Sequence, residues 1–234
     1  MEYTNNFLNC KHLILSGGGM KGFTYLGLLR LIEKYNIKPQ LETITGFSAG
    51  AIFSFVLALG FSYDEIVPIM LNTNYNDFLE VDTNDILNFN EKKGLITNNN
   101  FEKFLSTLIS MKYHKDSITF LELYKEFNIV VCIGVTNITK KVVEIFNYKN
   151  QPNLDITKAI RMSISIPIAF SPVFYNNNIY VDGDFSGVKK TNFMYYKELL
   201  NLDEKIQSIL REKKNKKNKK NKKNKKNKKN KKNK

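Results

Sequence analysis

Hydrophobic positions along the first quarter of the chain switch between short solid runs and helical spacing. HLILS at 12–16 is a compact apolar run ending in glycines, the pattern of a parallel strand buried on both faces. Over 20–35, Phe23, Leu26, Leu29 and Ile32 recur at helical intervals, and Pro39 follows as a stop. ETITG at 42–46 predicts a second, β-branched strand. SAGAIFSFVLAL at 48–59 predicts a helix that is apolar nearly all round and therefore belongs in the interior. Strand, helix, strand, helix with short turns predicts a right-handed βαβ unit in a parallel sheet.

The middle of the chain is less regular. Ser62 with Glu65 three residues on is a capping-box pattern that opens a helix, and Pro68 is placed to kink or end it. Residues 72–100 are rich in Asn and Asp and read as short helices mixed with loops. The segments 99–113 and 119–127 read as helices. NIVVCIGVTNIT (128–139) and KKVVEIFNY (140–148) read as two strands, either a hairpin or neighbours. DITKAIRMSIS (155–165) is a helix, and NNNIYVDGD (176–184) is a turn with a short strand. Leu199, Leu202, Ile206, Ile209 and Leu210 mark one apolar face of a last helix.

Composition changes this picture at one end only. The 234 residues are 42% hydrophobic and 12% aromatic, as in a globular protein, and the formal net charge is +14. Residues 213–234 repeat Lys-Lys-Asn and hold 15 of the 36 basic residues and no acid. The remainder, with 21 basic and 22 acidic side chains, is nearly neutral. Like-charge repulsion and the lack of apolar positions predict a disordered tail over 211–234, following one folded domain over 1–210. Such a tail can meet an anionic membrane surface, bind nucleic acid nonspecifically, or be a low-complexity expansion with no role. Cys10 and Cys132, far apart in apolar surroundings, read as buried hydrophobes of a reducing compartment. The N-terminus lacks a basic start and an apolar core, so no signal peptide is expected. The most apolar stretch, Ala51–Leu59, is too short for a hydrocarbon layer of ~30 Å. A cytoplasmic protein, peripheral at membranes through its tail, is the expectation.

Candidate chemistry begins at LSGGGMKG (15–22). Gly17, Gly19 and Gly22 satisfy G-x-G-x-x-G, which suits a dinucleotide's pyrophosphate or, equally, an oxyanion formed in a reaction. A dinucleotide site also asks for an acid at the end of the second strand. That strand ends in Ile44, Thr45 and Gly46, and Glu42 lies at its start. Lys21 followed by Gly22 does not fit a Walker A loop. The second strand leads instead into GFSAG (46–50), a G-x-S-x-G in strand–turn–helix context, with Ser48 at the apex between Gly46 and Gly50. The bland reading makes Ser48 an N-cap. The other makes it a nucleophile beside a row of glycine N–H donors at the same sheet edge. For a base, His12 lies at the wrong end of its strand and His114 in a polar helix end, which leaves the carboxylate of Asp182, beside Gly183 in YVDGD.

GGGMKG, GFSAG, AIRMSISIPIAFSPV and YVDGD, in that order, together resemble the patatin-like phospholipases, from about His12 to Asp184. GLIT, TFLELY and VTNIT stand in family-like positions too. The resemblance implies an α/β fold, a three-layer α/β/α sandwich with a mainly parallel central sheet. It also implies a Ser–Asp catalytic pair without histidine: Ser48 as nucleophile, Asp182 as base, and Gly17, Gly18 and Gly19 as oxyanion donors. Lys21 matches the family's basic position in the glycine loop, and Pro167 a proline shaping the substrate cleft. The function so implied is a phospholipase A-type acyl hydrolase of phospholipid or other acyl-ester lipids, needing no cofactor or metal. A catalytically silent lipid-binding module recruited by the basic tail stays open as the alternative. Two departures stand out. Phe47 replaces a smaller residue before the serine, and DFSGVKKTNF after Gly183 leaves the family pattern. Phe23, Phe47 and Phe170 suit an acyl chain but read first as ordinary core.

Overall fold

The computed structural model describes residues 9–78, 94–96 and 99–185. The final helix, the lysine repeat and most of the 72–100 stretch lie outside the described residues. Strand β1 (His12–Leu15) leads through a 3-10 turn at Gly19–Phe23 into helix α1 (Thr24–Lys34), then strand β2 (Thr43–Phe47) and helix α2 (Ala49–Ala58). The glycines of 17–22 are poor helix formers, so the first turn is 3-10 and the α-helix starts at Thr24 rather than at Met20. α2 fits its apolar sequence: all of its residues but Ile52 are buried, packed against β1 and β2.

Helix α3 (Tyr63–Asn72) opens with the expected capping box, Ser62 and Glu65 each bonding the other's backbone. Pro68 does not end it: the helix runs on to Asn72, with Ile66 and Met70 buried. Helix α4 (Asn99–Tyr113) and helix α5 (Phe120–Phe127) follow, the second with a Thr119–Glu122 capping box and a left-handed Asn128 at its end. Strand β3 (Gly94–Ile96) lies in the stretch read as helices and loops, and pairs in parallel with β6 (Ile168–Phe170). Strands β4 (Val130–Asn137) and β5 (Val142–Phe146) form an antiparallel hairpin. Helix α6 (Ile156–Ile164), capped by Asp155, precedes β6, β7 (Val173–Tyr175) and β8 (Asn178–Val181).

The main sheet has the order β1-β2-β4-β8-β7, with β5 also paired to β4. Its core, β1–β2–β4, is parallel; the β5 and β8–β7 additions are antiparallel. Helices flank this sheet in an α/β/α arrangement.

β4 decides where the loops meet. Ile133 and Gly134 pair with both β2 and β5, whereas Thr136 and Asn137 pair with both β5 and β8. β2 and β8 therefore occupy the same edge of β4, end to end and running toward each other. β2 stops with Phe47 opposite Gly134, and β8 stops with Val181 opposite Thr136. The residue after each strand, Ser48 and Asp182, falls at the register position of Val135.

Close packing of the βα turn allows no side chain at Gly50, because a Cβ there would overlap the backbone carbonyl of Leu15. Gly50→Ala is expected to lower stability in denaturant unfolding by about 1–3 kcal/mol or more, since backbone cannot yield as a flexible side chain would.

Candidate active site

Ser48 stands between β2 and α2 with φ 49° and ψ −123°, backbone angles that favour glycine. Holding a serine there costs on the order of 1–3 kcal/mol. It occupies the N-cap position, yet its hydroxyl makes no capping bond. The hydroxyl donates to Oδ2 of Asp182 at 2.6 Å, and both residues are buried.

The strained backbone is pinned by a residue that the sequence reading did not single out. The Ser48 amide donates to Oγ of Ser163 at 2.8 Å, and that hydroxyl donates onward to the Gly134 carbonyl at 2.7 Å. The Ser163 carbonyl accepts from the Gly183 amide at 3.0 Å. One fully buried serine on α6 thus ties the Ser48 turn, β4 and the Asp182 turn together. In AIRMSISIP it reads only as a small residue among buried apolar positions of a helix, which does not disclose this role.

Asp182 is positioned by its own backbone. Its amide donates to the Ser165 carbonyl at 2.9 Å, and its Oδ1 accepts from the Asp184 amide at 2.8 Å. Burial pushes its carboxyl up to about 6, against the pull of the Ser48 and Asp184 hydrogen bonds and with a further push from the Asp184 charge. Keeping it ionised at neutral pH costs the fold on the order of 3 kcal/mol.

The glycine loop abuts the pair. A Cβ on Gly17 would lie 2.9 Å from Cβ of Ser48 and overlap the Asp184 carboxylate. Gly19, at φ 54°, lines the same cavity as Ser48. Gly22 lies against Ala49 at the start of α2. Gly18 and Lys21 are exposed, and Lys21 meets Thr24 through its backbone carbonyl. Phe47 is core, as expected: its ring fills the space a Cβ would need on Gly134 and closes on Gly183, so two glycines accommodate the large residue before Ser48. Phe23 packs against the edge of the core, and Phe170 does not belong to it. They are half-buried and line the cavity.

That cavity holds about 280 Å³. Its walls are almost wholly apolar, with Ile52, Met70, Phe78 and Phe101 among them and the Ser48 hydroxyl at its side. His12 begins β1 and His114 follows α4, so neither belongs to the site. Cys132 is buried, and burial pushes its thiol up to about 11; Cys10 is only half-buried, contrary to expectation. Among the described residues, no group of three His, Cys, Asp or Glu side chains is arranged to hold a metal ion, and no helix is long and apolar enough to cross a membrane.

The family model of the patatin-like phospholipases matches residues 13–187, the span that carries the glycine loop, Ser48 and Asp182. The chain belongs to the patatin-like phospholipase family. "Probable lipid hydrolase 463L" of Invertebrate iridescent virus 6 is 34% identical over 176 residues, covering 74% of this patatin-like chain and 59% of the viral protein. "Triacylglycerol lipase 4" of Saccharomyces cerevisiae is 25% identical over 186 residues, covering 74% and 20%. The crystal structure of VipD from Legionella pneumophila shares the fold, with a TM-score of 0.57 and 19% identity over 76% of this chain and 46% of VipD. The chain spans somewhat over half the length of the viral relatives it matches.

The buried carboxyl sets a stability test for the patatin-like site. The native group keeps its proton up to about pH 6, while the unfolded one releases it near 3.8. Its contribution is fully present below the lower value and lost as pH rises through the higher. Asp182→Asn is therefore expected to be more stable to unfolding than wild type above pH about 7, by up to ~3 kcal/mol, with the gap closing toward pH about 4.

Proposed function

We propose that the protein is a lipid acyl hydrolase of the phospholipase A type, working through Ser48 and Asp182. The observation that carries this is the 2.6 Å hydrogen bond from the Ser48 hydroxyl to the Asp182 carboxylate beside an apolar cavity. Lipid-hydrolase names among the relatives support the substrate class.

In this reading the ester carbonyl lies over Ser48 with its acyl chain in the cavity. Oγ attacks the carbonyl carbon as its proton passes to Oδ2 of Asp182. The negative oxygen is met by backbone N–H groups of Gly17, Gly18 and Gly19 and by the positive end of the α2 dipole. Collapse breaks the ester bond, and Asp182 returns the proton to the departing alcohol. Water then attacks the acyl-enzyme, Asp182 takes its proton and gives it back to Oγ, and the fatty acid leaves. A carboxyl near 6 suits this work: ionised at neutral pH, yet more basic than an exposed aspartate. No step calls for a cofactor or metal. The protein works as a peripheral cytoplasmic enzyme of one domain over 1–210, and the lysine repeat draws it to anionic membranes, with nucleic acid bound only nonspecifically.

Ser48→Ala is expected to keep the fold and lose both ester hydrolysis and labelling by a fluorophosphonate probe; wild-type hydrolysis in that variant would refute the reading. kcat/KM should be flat above about pH 6 and fall about tenfold per pH unit below it, as the base becomes protonated. Deleting 213–234 should weaken binding to anionic vesicles and flatten its salt dependence while leaving hydrolysis of a soluble ester unchanged. An unaltered vesicle affinity would remove the tail's role.

A further inference from the structure

We propose that the loop Ile166–Phe170 is a bilayer-docking element that seats the mouth of the Ser48 cavity on a lipid surface. The inference rests on the lipid-hydrolase reading of that cavity and names the surface from which its substrate comes.

The segment Ile-Pro-Ile-Ala-Phe sets three large apolar side chains around a proline. The Phe170 amide donates to the Ile166 carbonyl at 2.9 Å and closes the loop. Both feet of the loop, Ile166 and Phe170, line the cavity. At its apex Ile168 stands at φ 76°, with 69% of its surface exposed. A β-branched residue with positive φ is a genuine outlier, and strain of this kind gathers at functional positions. Nothing within the described fold recovers the cost, because the side chain it presents lies in water.

Ile168 does not stand alone. Met20 is 64% exposed and Ile166 45% exposed, and both line the cavity as well. Single exposed apolar residues are ordinary on any surface. Met20 and Ile166 line the apolar cavity that Ser48 also lines, and Ile168 lies in the loop between two of its lining residues, Ile166 and Phe170. Pairing of Gly94 with Ile168 and of Ile96 with Phe170 holds the loop backbone in a two-stranded ladder, so the rim is part of the fold.

A bilayer fits both parts of this surface. The apex needs hydrocarbon or interfacial surroundings, and an acyl chain reaching the cavity has to leave a lipid layer across this rim. The 15 lysines of 213–234 complement anionic headgroups, so charge attraction and apolar insertion favour the same partner.

The chain contains no tryptophan, so Ile168→Trp places the sole indole at the loop apex. In the full-length chain its emission is expected to shift to the blue on adding phosphatidylcholine vesicles, and to be quenched by a quencher buried in the acyl layer. Ile168→Asn, whose side chain tolerates positive φ, should lower partition onto the same vesicles about tenfold. Its hydrolysis of p-nitrophenyl butyrate, a water-soluble ester, should match wild type. Unchanged partition of Ile168→Asn, or a tryptophan that stays in water when vesicles bind, would overturn the proposal. A blue shift that grows with protein concentration in the absence of lipid would overturn it in favour of a second copy. Partition is read without turnover. If the wild-type chain hydrolyses no ester while the loop still inserts, the catalytic reading fails and the docking surface stands.

Discussion

β4 is longer than β2, and the part of its edge left open is the constraint on which the site depends. β2 covers that edge only as far as Gly134, and β8 comes from the other direction to cover Thr136 and Asn137. A single register position, that of Val135, separates the two strand ends. Had β8 run parallel to β2, its C-terminal end would point away and Asp182 could not meet Ser48. The antiparallel addition to a parallel core is what brings together two residues 134 positions apart in sequence. Side-chain hydrogen bonding then completes an approach that backbone pairing has already made.

The cost of this meeting falls on the two residues concerned. Ser48 holds a glycine-like conformation, and Asp182 keeps its carboxyl where burial disfavours the charge. Each cost is met locally. Ser163 accepts the amide of the strained turn and anchors itself on β4, and Ser48 cannot relax without breaking its buried hydrogen bonds to Ser163 and Asp182. The Asp184 amide supports the carboxylate while the Ser48 hydroxyl supplies the other bond it needs. Glycines at 17, 50, 134 and 183 let the segments approach this closely. Any added methyl there would move the hydroxyl, the carboxyl or the loop between them.

Much of this was legible in the residues. The solid run at 12–16, the all-apolar helix at 48–59 and the capping box at Ser62 are local signals, and each produced its element. GFSAG announced its serine because a strand-to-helix turn is itself local. Asp182 was less legible: Asp–Gly is common turn chemistry, and only the order of four motifs gave it a partner. Strands β3, β6 and β7 escaped because three residues are too few to show a period of two. Pro68 does not end its helix because the missing amide costs one bond, while Ile66 and Met70 bury surface on either side of it. Ser163 was hidden for a deeper reason. Its role is to satisfy a strained amide 115 residues away, and no pattern in a helix reveals a distant unsatisfied donor.

Two residues with strained backbone, Ser48 and Ile168, bear on the same cavity, and they are restrained differently. Ser48 is buried and held by hydrogen bonds to the side chains of Ser163 on α6 and Asp182 just after β8. Ile168 is exposed and held only by backbone, through the bond that closes its loop and the short ladder with β3. A buried polar network fixes one rotamer and one backbone state, which suits an atom that must attack in a defined direction. A backbone ladder fixes the path of the chain and leaves the side chain to choose its surroundings, which suits a group that meets a fluid surface. The Ser48 part of the cavity wall is therefore fixed by polar contacts, and the Ile166–Phe170 loop beside it by backbone alone. That division is the one expected of a site whose chemistry is exacting and whose substrate arrives as part of a layer.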